Sequence, residues 1–481
     1  MPPTSFGDLD PEEFRREAHR VADWIADYIA NPSRYPVLAQ VAPGDIRNQL
    51  PDRAPECGEP FAQIFSDFER IILPGITHWN HPGFFAYFAI TGSAPGILAE
   101  FLSAALNVQA MLWRTSPAAT ELEEVTLGWL RRLIGLPDAF EGVIYDTASV
   151  SSLHALAAAR EAAVSSTREL GLAGRSDLPR LRVYCSNQAH SSVDKAVILL
   201  GFGHKSLRHI ESDEQFRMIP AALDAAIAED RRNGWLPLAV IATVGTTSTT
   251  SIDPVESIAT ICRRERVWLH VDAAYAGVAA MVPGYEWILR GANDADSLVV
   301  NPHKWLFTPF DLSVLYCRHM DILRSAFSLT PDYLKTTEAS TVRNLMDTGI
   351  QLGRRFRALK LWMVLRHFGA EGLRQRLAEH MRLARSFADR IDESDDFERT
   401  APVPFSVVCF RAIGDDVLNE RLLEAVNSSG EIFISHTRLG GRFCLRLAIG
   451  NLHTTEQHVS RAWALLRDHA RELRSSSTAG A

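Results

Sequence analysis

The sequence predicts an α/β fold: a large domain on a mostly parallel sheet, an N-terminal helical arm and a small C-terminal α+β domain. Three observations lead there. Between about residues 86 and 375, short apolar runs alternate with helical segments, the pattern of a parallel sheet covered by helices on both faces. Residues 1–85 hold amphipathic helix and proline-rich stretches that cannot form a core alone. Residues 376–481 open with a long helix and then mix strands with helix on a smaller scale.

The elements follow in order. Over Pro11 to Ile29, Phe14, Ala18, Val21, Ala22, Ile25, Tyr28 and Ile29 recur at three and four, the spacing of one helix face. Asp10 is placed to cap it, with Pro11 at the first helical position. Pro32, Pro36 and Pro43 break the chain into extended pieces, and a second amphipathic helix is expected from Phe61 to Leu73. An arm of this kind must pack on something else, such as a partner subunit. In the large domain, Gly142–Tyr145, Leu181–Cys185, Ala239–Val244, Val267–Val271 and Ser297–Val300 read as strands, with helices between them such as Pro254–Arg264. In the small domain, strands are expected at 405–410, 431–435 and 442–448, with a helix near 417–426. The small, polar tail 475–481 is expected to be disordered.

Composition narrows the function. Of 481 residues, 46 % are hydrophobic and 22 % charged, and the formal net charge is −8. An acidic balance argues against nucleic-acid binding, which neutralises phosphates with basic patches. No apolar run approaches the length of a membrane span. The six cysteines form no C-x-x-C pair, and no metal-ligand pattern stands out. With no secretory signal at the start, a cytoplasmic location is expected.

Ligands of such sheets collect at the carboxyl ends of the strands. Those ends carry an unusual set of groups. After Tyr145 come Asp146-Thr147-Ala148-Ser149 and an alanine-rich helix; after Cys185 come Ser186-Asn187-Gln188-Ala189-His190. After Val244 come Gly245-Thr246-Thr247, after Val271 comes Asp272, and after Val300 come Asn301-Pro302-His303-Lys304. Small hydroxyl residues such as Thr147 and Ser149 at a helix N-terminus suit a phosphate. A buried aspartate keeps an aromatic ring nitrogen protonated. A lysine can condense with an aldehyde, and a histidine can cover a ring. Each group alone has an ordinary explanation: a cap, a turn, a solvated cation. Together they describe a site for pyridoxal 5'-phosphate. P-loop, H-E-x-x-H and G-x-S-x-G patterns are absent.

The run Asn301-Pro302-His303-Lys304-Trp305 resembles the lysine signature of the group II pyridoxal-phosphate-dependent amino-acid decarboxylases. Four further runs resemble the aromatic-L-amino-acid decarboxylases in particular: 81–88, 116–123, 188–192 and 270–277. So does Leu352-Gly353-Arg354-Arg355-Phe356-Arg357, and the similarity spans about residues 10–465. The resemblance implies fold type I and a homodimer with active sites at the interface. It implies that Lys304 holds the cofactor, Asp272 pairs with the ring nitrogen and His190 stacks on the ring. Ala148, Ser149, Asn301 and His303 match phosphate-side positions, and Thr247 a threonine near the ring. Tyr333, in Ser328-Leu329-Thr330-Pro331-Asp332-Tyr333, matches a catalytic-loop tyrosine, a proton donor to Cα. Related aldehyde synthases carry phenylalanine there, so Tyr333 favours simple decarboxylation to amine and CO2. The alternatives are an aromatic acetaldehyde synthase or an aminotransferase. Arg446 does not separate the lyase from the aminotransferase, since both carry arginine there.

Substrate is less well marked. Trp79, Phe85 and Tyr87 are candidates for an aromatic pocket. Ile90 replaces a hydroxyl residue near the substrate carboxylate in the family pattern, with Thr91 beside it. Gln109, Met111 and Thr348 also depart from the pattern, while Gly353 would leave room for a large ring.

Overall fold

The computed structural model describes residues 7–164, 166–329, 338 and 341–478. The arm begins with α1 (Pro11–Ala30), capped by the Asp10 carboxylate, which accepts from the N–H groups of Glu12 and Glu13. Its C-terminal half is tied to its own chain: Tyr28 meets His78 Nδ1 at 3.0 Å, and Trp24 packs edge-on against Phe68. In its N-terminal half Glu17 is buried while Phe14 is 60 % exposed. The expected helix 61–73 is α-helical only as α2 (Phe61–Asp67). It widens into a π turn at Phe68–Ile72 and tightens into a 3-10 turn at Leu73–Gly75, where Pro74 has no N–H to continue the ladder.

Next come β1 (Phe84–Phe85), α3 (Ala94–Leu106) and α4 (Pro117–Leu133). The large sheet contains β2 (Glu141–Tyr145), β3 (Arg180–Ser186), β4 (Leu207–Ile210), β5 (Trp235–Thr243), β6 (Trp268–Asp272), β7 (Ser297–Val300) and β8 (Ser313–Cys317). Their order is β2-β8-β7-β6-β5-β3-β4. Strand β8, which alternation alone did not reveal, is antiparallel to both neighbours; the other contacts are parallel. Two reversals cancel, so β2 runs with the rest and Tyr145, Ser186, Thr243, Asp272 and Val300 end on one edge. Helices α5 (Ala148–Ala163), α6 (Thr167–Leu170), α7 (Ser192–Leu199), α8 (Pro220–Arg232), α9 (Val255–Glu265), α10 (Pro302–Trp305) and α11 (Met320–Phe327) fall between the strands or follow them.

Helix α12 (Ala358–Asp392), interrupted by left-handed Gly369, leads to the second sheet. That sheet is built from β9 (Phe397–Arg399), β10 (Val407–Ala412), β11 (Phe433–Leu439) and β12 (Arg442–Ala448), with α13 (Asp416–Ser428) and α14 (Glu456–Thr478) packed around it. Its order is β1-β11-β12-β10-β9, and β1 pairs in parallel with β11. This pairing corrects one expectation. Phe85 is fully buried among Ile434, Leu445 and Phe410 in the core of the second sheet, and it is not open to a pocket. At the tail, α14 continues helical to Thr478. Among the described residues, no helix is long and apolar enough to cross a membrane.

One buried ion pair links the motif at 352–357 to the sheet. Arg354 donates to Glu123 at 3.0 Å and to the Ile144 carbonyl at 2.6 Å, while Glu123 accepts from the Ile144 N–H at 2.9 Å. Removing one partner strands the other charge in the core. Arg354→Met should therefore cost about 3–5 kcal/mol in denaturant unfolding, and a change below about 1 kcal/mol would contradict this.

Candidate active site

Lys304 lies on α10, a single turn started by Pro302 and anchored where the Asn301 N–H donates to the Ala274 carbonyl at 3.0 Å. Its Nζ stands 5.2 Å from the centre of the Phe88 ring. Burial pulls the amine below the usual lysine range; Asp272 opposes the shift and Arg446 adds to it. Asp272 ends the adjacent strand β6, buried, with Oδ1 accepting from the Ala274 N–H at 3.1 Å. His190 follows β3, and its Nδ1 accepts from the Ser192 N–H at 3.1 Å. The neutral ring therefore carries its proton on Nε2. Burial lowers the His190 pKa, while the Asp272 charge works the other way. Three sequence-predicted residues thus sense one another electrostatically.

A second group can hold an anion. No side chain caps α5, whose first residues are Ala148 and Ser149, and the Asp146 carboxylate takes the Thr147 N–H at 2.7 Å. Asn301 and His303 are buried, with Asn301 Nδ2 and His303 Nε2 3.3 Å apart. His303 Nδ1 accepts from the Leu312 N–H at 2.8 Å, so its proton sits on Nε2. As drawn, Asn301 Oδ1 has no partner. Turning the amide over places that oxygen on the His303 N–H and frees the NH2 donors for an anion. Thr247 is exposed in the turn after β5. That turn opens on Gly245 at φ +91°, where a Cβ would stand 2.6 Å from the Ala276 Cβ.

An aromatic column supports the lysine. Phe88 stacks on Tyr275 at 3.8 Å, Tyr275 on Trp305 at 4.7 Å, and Trp305 donates to His380 Nδ1 at 3.0 Å. Sequence reasoning quoted Phe88 and Tyr275 within motifs but gave neither a role. Nothing local signals the stack, because the partners are distant in sequence.

The pocket candidates divide. Trp79 stacks on Phe84 at 4.3 Å and on Tyr87 at 5.8 Å, and Tyr87 is exposed on a left-handed backbone. Ile90 is half-buried. Thr91 is fully buried with its hydroxyl turned to the Gly450 carbonyl at 3.5 Å, so it does not supply the donor that Ile90 lacks. Thr348 is also buried, bonded to its own turn through Leu345. Met111 packs on Leu112 and Met346. A Cβ on Gly353 would lie 3.3 Å from Gln109 Nε2, so the room beside this glycine borders an amide. The Arg354 N–H pins that amide through its oxygen at 2.6 Å. Tyr333 lies outside the described residues.

Residues 43–413 match the family model described as the pyridoxal-dependent decarboxylase conserved domain. The chain belongs to the pyridoxal-dependent decarboxylase family. It is 43 % identical to tyrosine decarboxylase 2 of Arabidopsis thaliana, over 96 % of this chain and 88 % of that one. It is 40 % identical to phenylacetaldehyde synthase of the same plant, over 97 % of each. A crystal structure of Oryza sativa TDC with PLP and tryptamine superposes with a TM-score of 0.93 at 36 % identity, covering 98 % of this chain and 100 % of that one. The chain is accordingly a decarboxylase of an amino acid, with pyridoxal phosphate as cofactor and fold type I architecture. The residues present fit that group: an uncapped helix N-terminus, amide donors at Asn301 free to meet an anion once its oxygen takes the His303 N–H, and a half-buried lysine whose amine is desolvated beside a buried aspartate.

Several histidines around this centre are buried neutral. Burial depresses His303 to about 3, and His270 and His380 to about 4, from an ordinary 6.5. Below about pH 6.5 the unfolded chain takes up protons that the folded chain refuses. Stability is full above that pH and is lost progressively as pH falls toward 4. Each such group should contribute about 1.4 kcal/mol per pH unit across the window. Unfolding followed from pH 7 to 5 should show a steep loss, and a flat profile would count against these assignments.

Proposed function

We propose that the chain decarboxylates an aromatic L-amino acid to its amine and CO2, with Lys304 as the residue that holds the cofactor. The observation that carries this reading is Lys304 itself: a half-buried lysine whose amine is desolvated and senses the Asp272 charge, just past the ends of paired strands. When bound, the cofactor supplies an electron sink for the pair of electrons left on Cα as CO2 departs. Asp272 would hold a proton on the ring nitrogen, and His190 would cover the ring face. Ala148, Ser149, Asn301 and His303 would bind the phosphate, with Thr247 beside the ring. Tyr333 would return a proton to Cα. Exclusion of water around Lys304 strengthens each of these charge interactions.

Support for an aromatic substrate comes from the relatives named as tyrosine decarboxylase and from the structure solved with tryptamine. Trp79 and Tyr87 offer ring surface in this chain. The phenylacetaldehyde synthase relative keeps the aldehyde-forming reaction as a second reading. Tyr333, where the synthases carry phenylalanine, favours the amine. The same reading includes a homodimer. Helix α3 leaves Leu98, Phe101, Leu102 and Leu106 exposed at i, i+3, i+4 and i+8, one apolar stripe that a second copy could cover. A cytoplasmic site of action suits six cysteines that are all unpaired.

An amino-acid panel tests the proposal. Tyrosine, tryptophan, phenylalanine or Dopa should yield CO2 and amine in equal amounts; keto acid without CO2 would move the chain to the aminotransferases. Lys304→Ala should abolish the visible absorption of bound cofactor and all turnover. Tyr333→Phe should lower amine formation about a hundredfold and divert substrate to aldehyde, ammonia and hydrogen peroxide at the expense of dioxygen. Unchanged amine output with no peroxide would remove Tyr333 from the reaction.

A further inference from the structure

Arg446 lies on β12, 3 % exposed, and reaches out of the second sheet toward the edge of the first. Its Nε donates to the Ser248 carbonyl at 3.0 Å, and its Nη1 donates to the Tyr87 carbonyl. Its guanidinium carbon stands 4.7 Å from the centre of the Phe88 ring, the ring that Lys304 Nζ approaches at 5.2 Å. One aromatic ring is thus shared by the guanidinium and the lysine amine. Nη2 has no partner, and among the described residues no carboxylate pairs with this arginine. Its charge is therefore uncompensated where it meets Lys304.

Ser248 is held by more than Arg446. Cys409 Sγ donates to the same carbonyl at 3.1 Å, and Thr437 donates to Ser248 Oγ at 2.9 Å. Strands β10, β11 and β12 therefore converge on one residue, the neighbour of Thr247.

We propose that Arg446 is a positioning residue for the cofactor site: it fixes Thr247 through Ser248, and across Phe88 it sets the charge state of Lys304. The proposal rests on the reading of Lys304 as the cofactor-holding residue. Four groups face this amine. Asp272 on β6 favours its protonated form. Arg446 on β12 disfavours it. His303 on α10 and His190 after β3 are held neutral by burial and add little charge. Among the described residues, Arg446 is thus the one cation that offsets Asp272 at this amine. A lysine must be unprotonated to attack an aldehyde, so this offset keeps it competent near neutral pH.

The test uses the cofactor-loaded enzyme and reads the pH midpoint of its resting visible absorption band, together with cofactor dissociation by equilibrium dialysis. Arg446→Gln removes the charge but keeps a donor for Tyr87; if it does not fold, Arg446→Met takes its place. The midpoint should rise by about one pH unit, a tenfold change in the protonation equilibrium. Arg446→Lys keeps the charge and loses the paired donors. Its midpoint should stay near that of the parent enzyme, while cofactor binding weakens about tenfold. A neutral variant with an unmoved midpoint, or a lysine variant that shifts as far as the neutral one, overturns the proposal. A parent enzyme with no cofactor band would instead refute the assignment of Lys304, and this inference with it.

Discussion

An amine buried at the edge of a sheet has to be balanced, and much of this structure serves that balance. Taking Lys304 out of water disfavours its charge, and a full positive charge there would need a counter-ion. Asp272 supplies one from the adjacent strand, and Arg446 works against it from another sheet. Phe88 lies against both side chains with Tyr275 behind it, so the polar groups sit on a stacked aromatic support. The depressed histidines nearby follow from the same burial.

Much of this was legible in the sequence because parallel sheets advertise themselves. Strands buried on both faces read as short apolar runs, and their C-terminal residues share an edge whatever their order. That rule alone brought Lys304, Asp272, His190 and the start of α5 together. It could not order the strands, and it passed over β8, whose antiparallel course places it between β2 and β7. Phe85 is a pocket candidate on side-chain type alone, and it lies in the core instead. In a run of aromatics, alternation decides which ring faces which side, and β1 had to be recognised as a strand of the second sheet before that parity could be fixed. The stack of Phe88, Tyr275 and Trp305 and the bonds converging on Ser248 join residues far apart in the chain, and no local pattern encodes them.

The departures from the family pattern prove to be of different kinds. Thr348 is spent on a backbone carbonyl inside the core and belongs to packing, as does Thr91 beside the departing Ile90. Gln109 is different: its amide is pinned on one side by Arg354 and its NH2 borders Gly353. The polarity of the space beside Gly353 therefore rests on Gln109.

The pairing of β1 with β11 has a bearing on how the molecule comes into being. Phe84 and Phe433 lie side by side, yet nearly the whole of the large sheet is synthesised between them. Contacts of such sequence separation form late, after the local units they enclose. As the polypeptide leaves the ribosome, the segment carrying Tyr87 and Phe88 must wait for the final strands, and Arg446 arrives on the last of them. The lysine is therefore made long before its surroundings are finished.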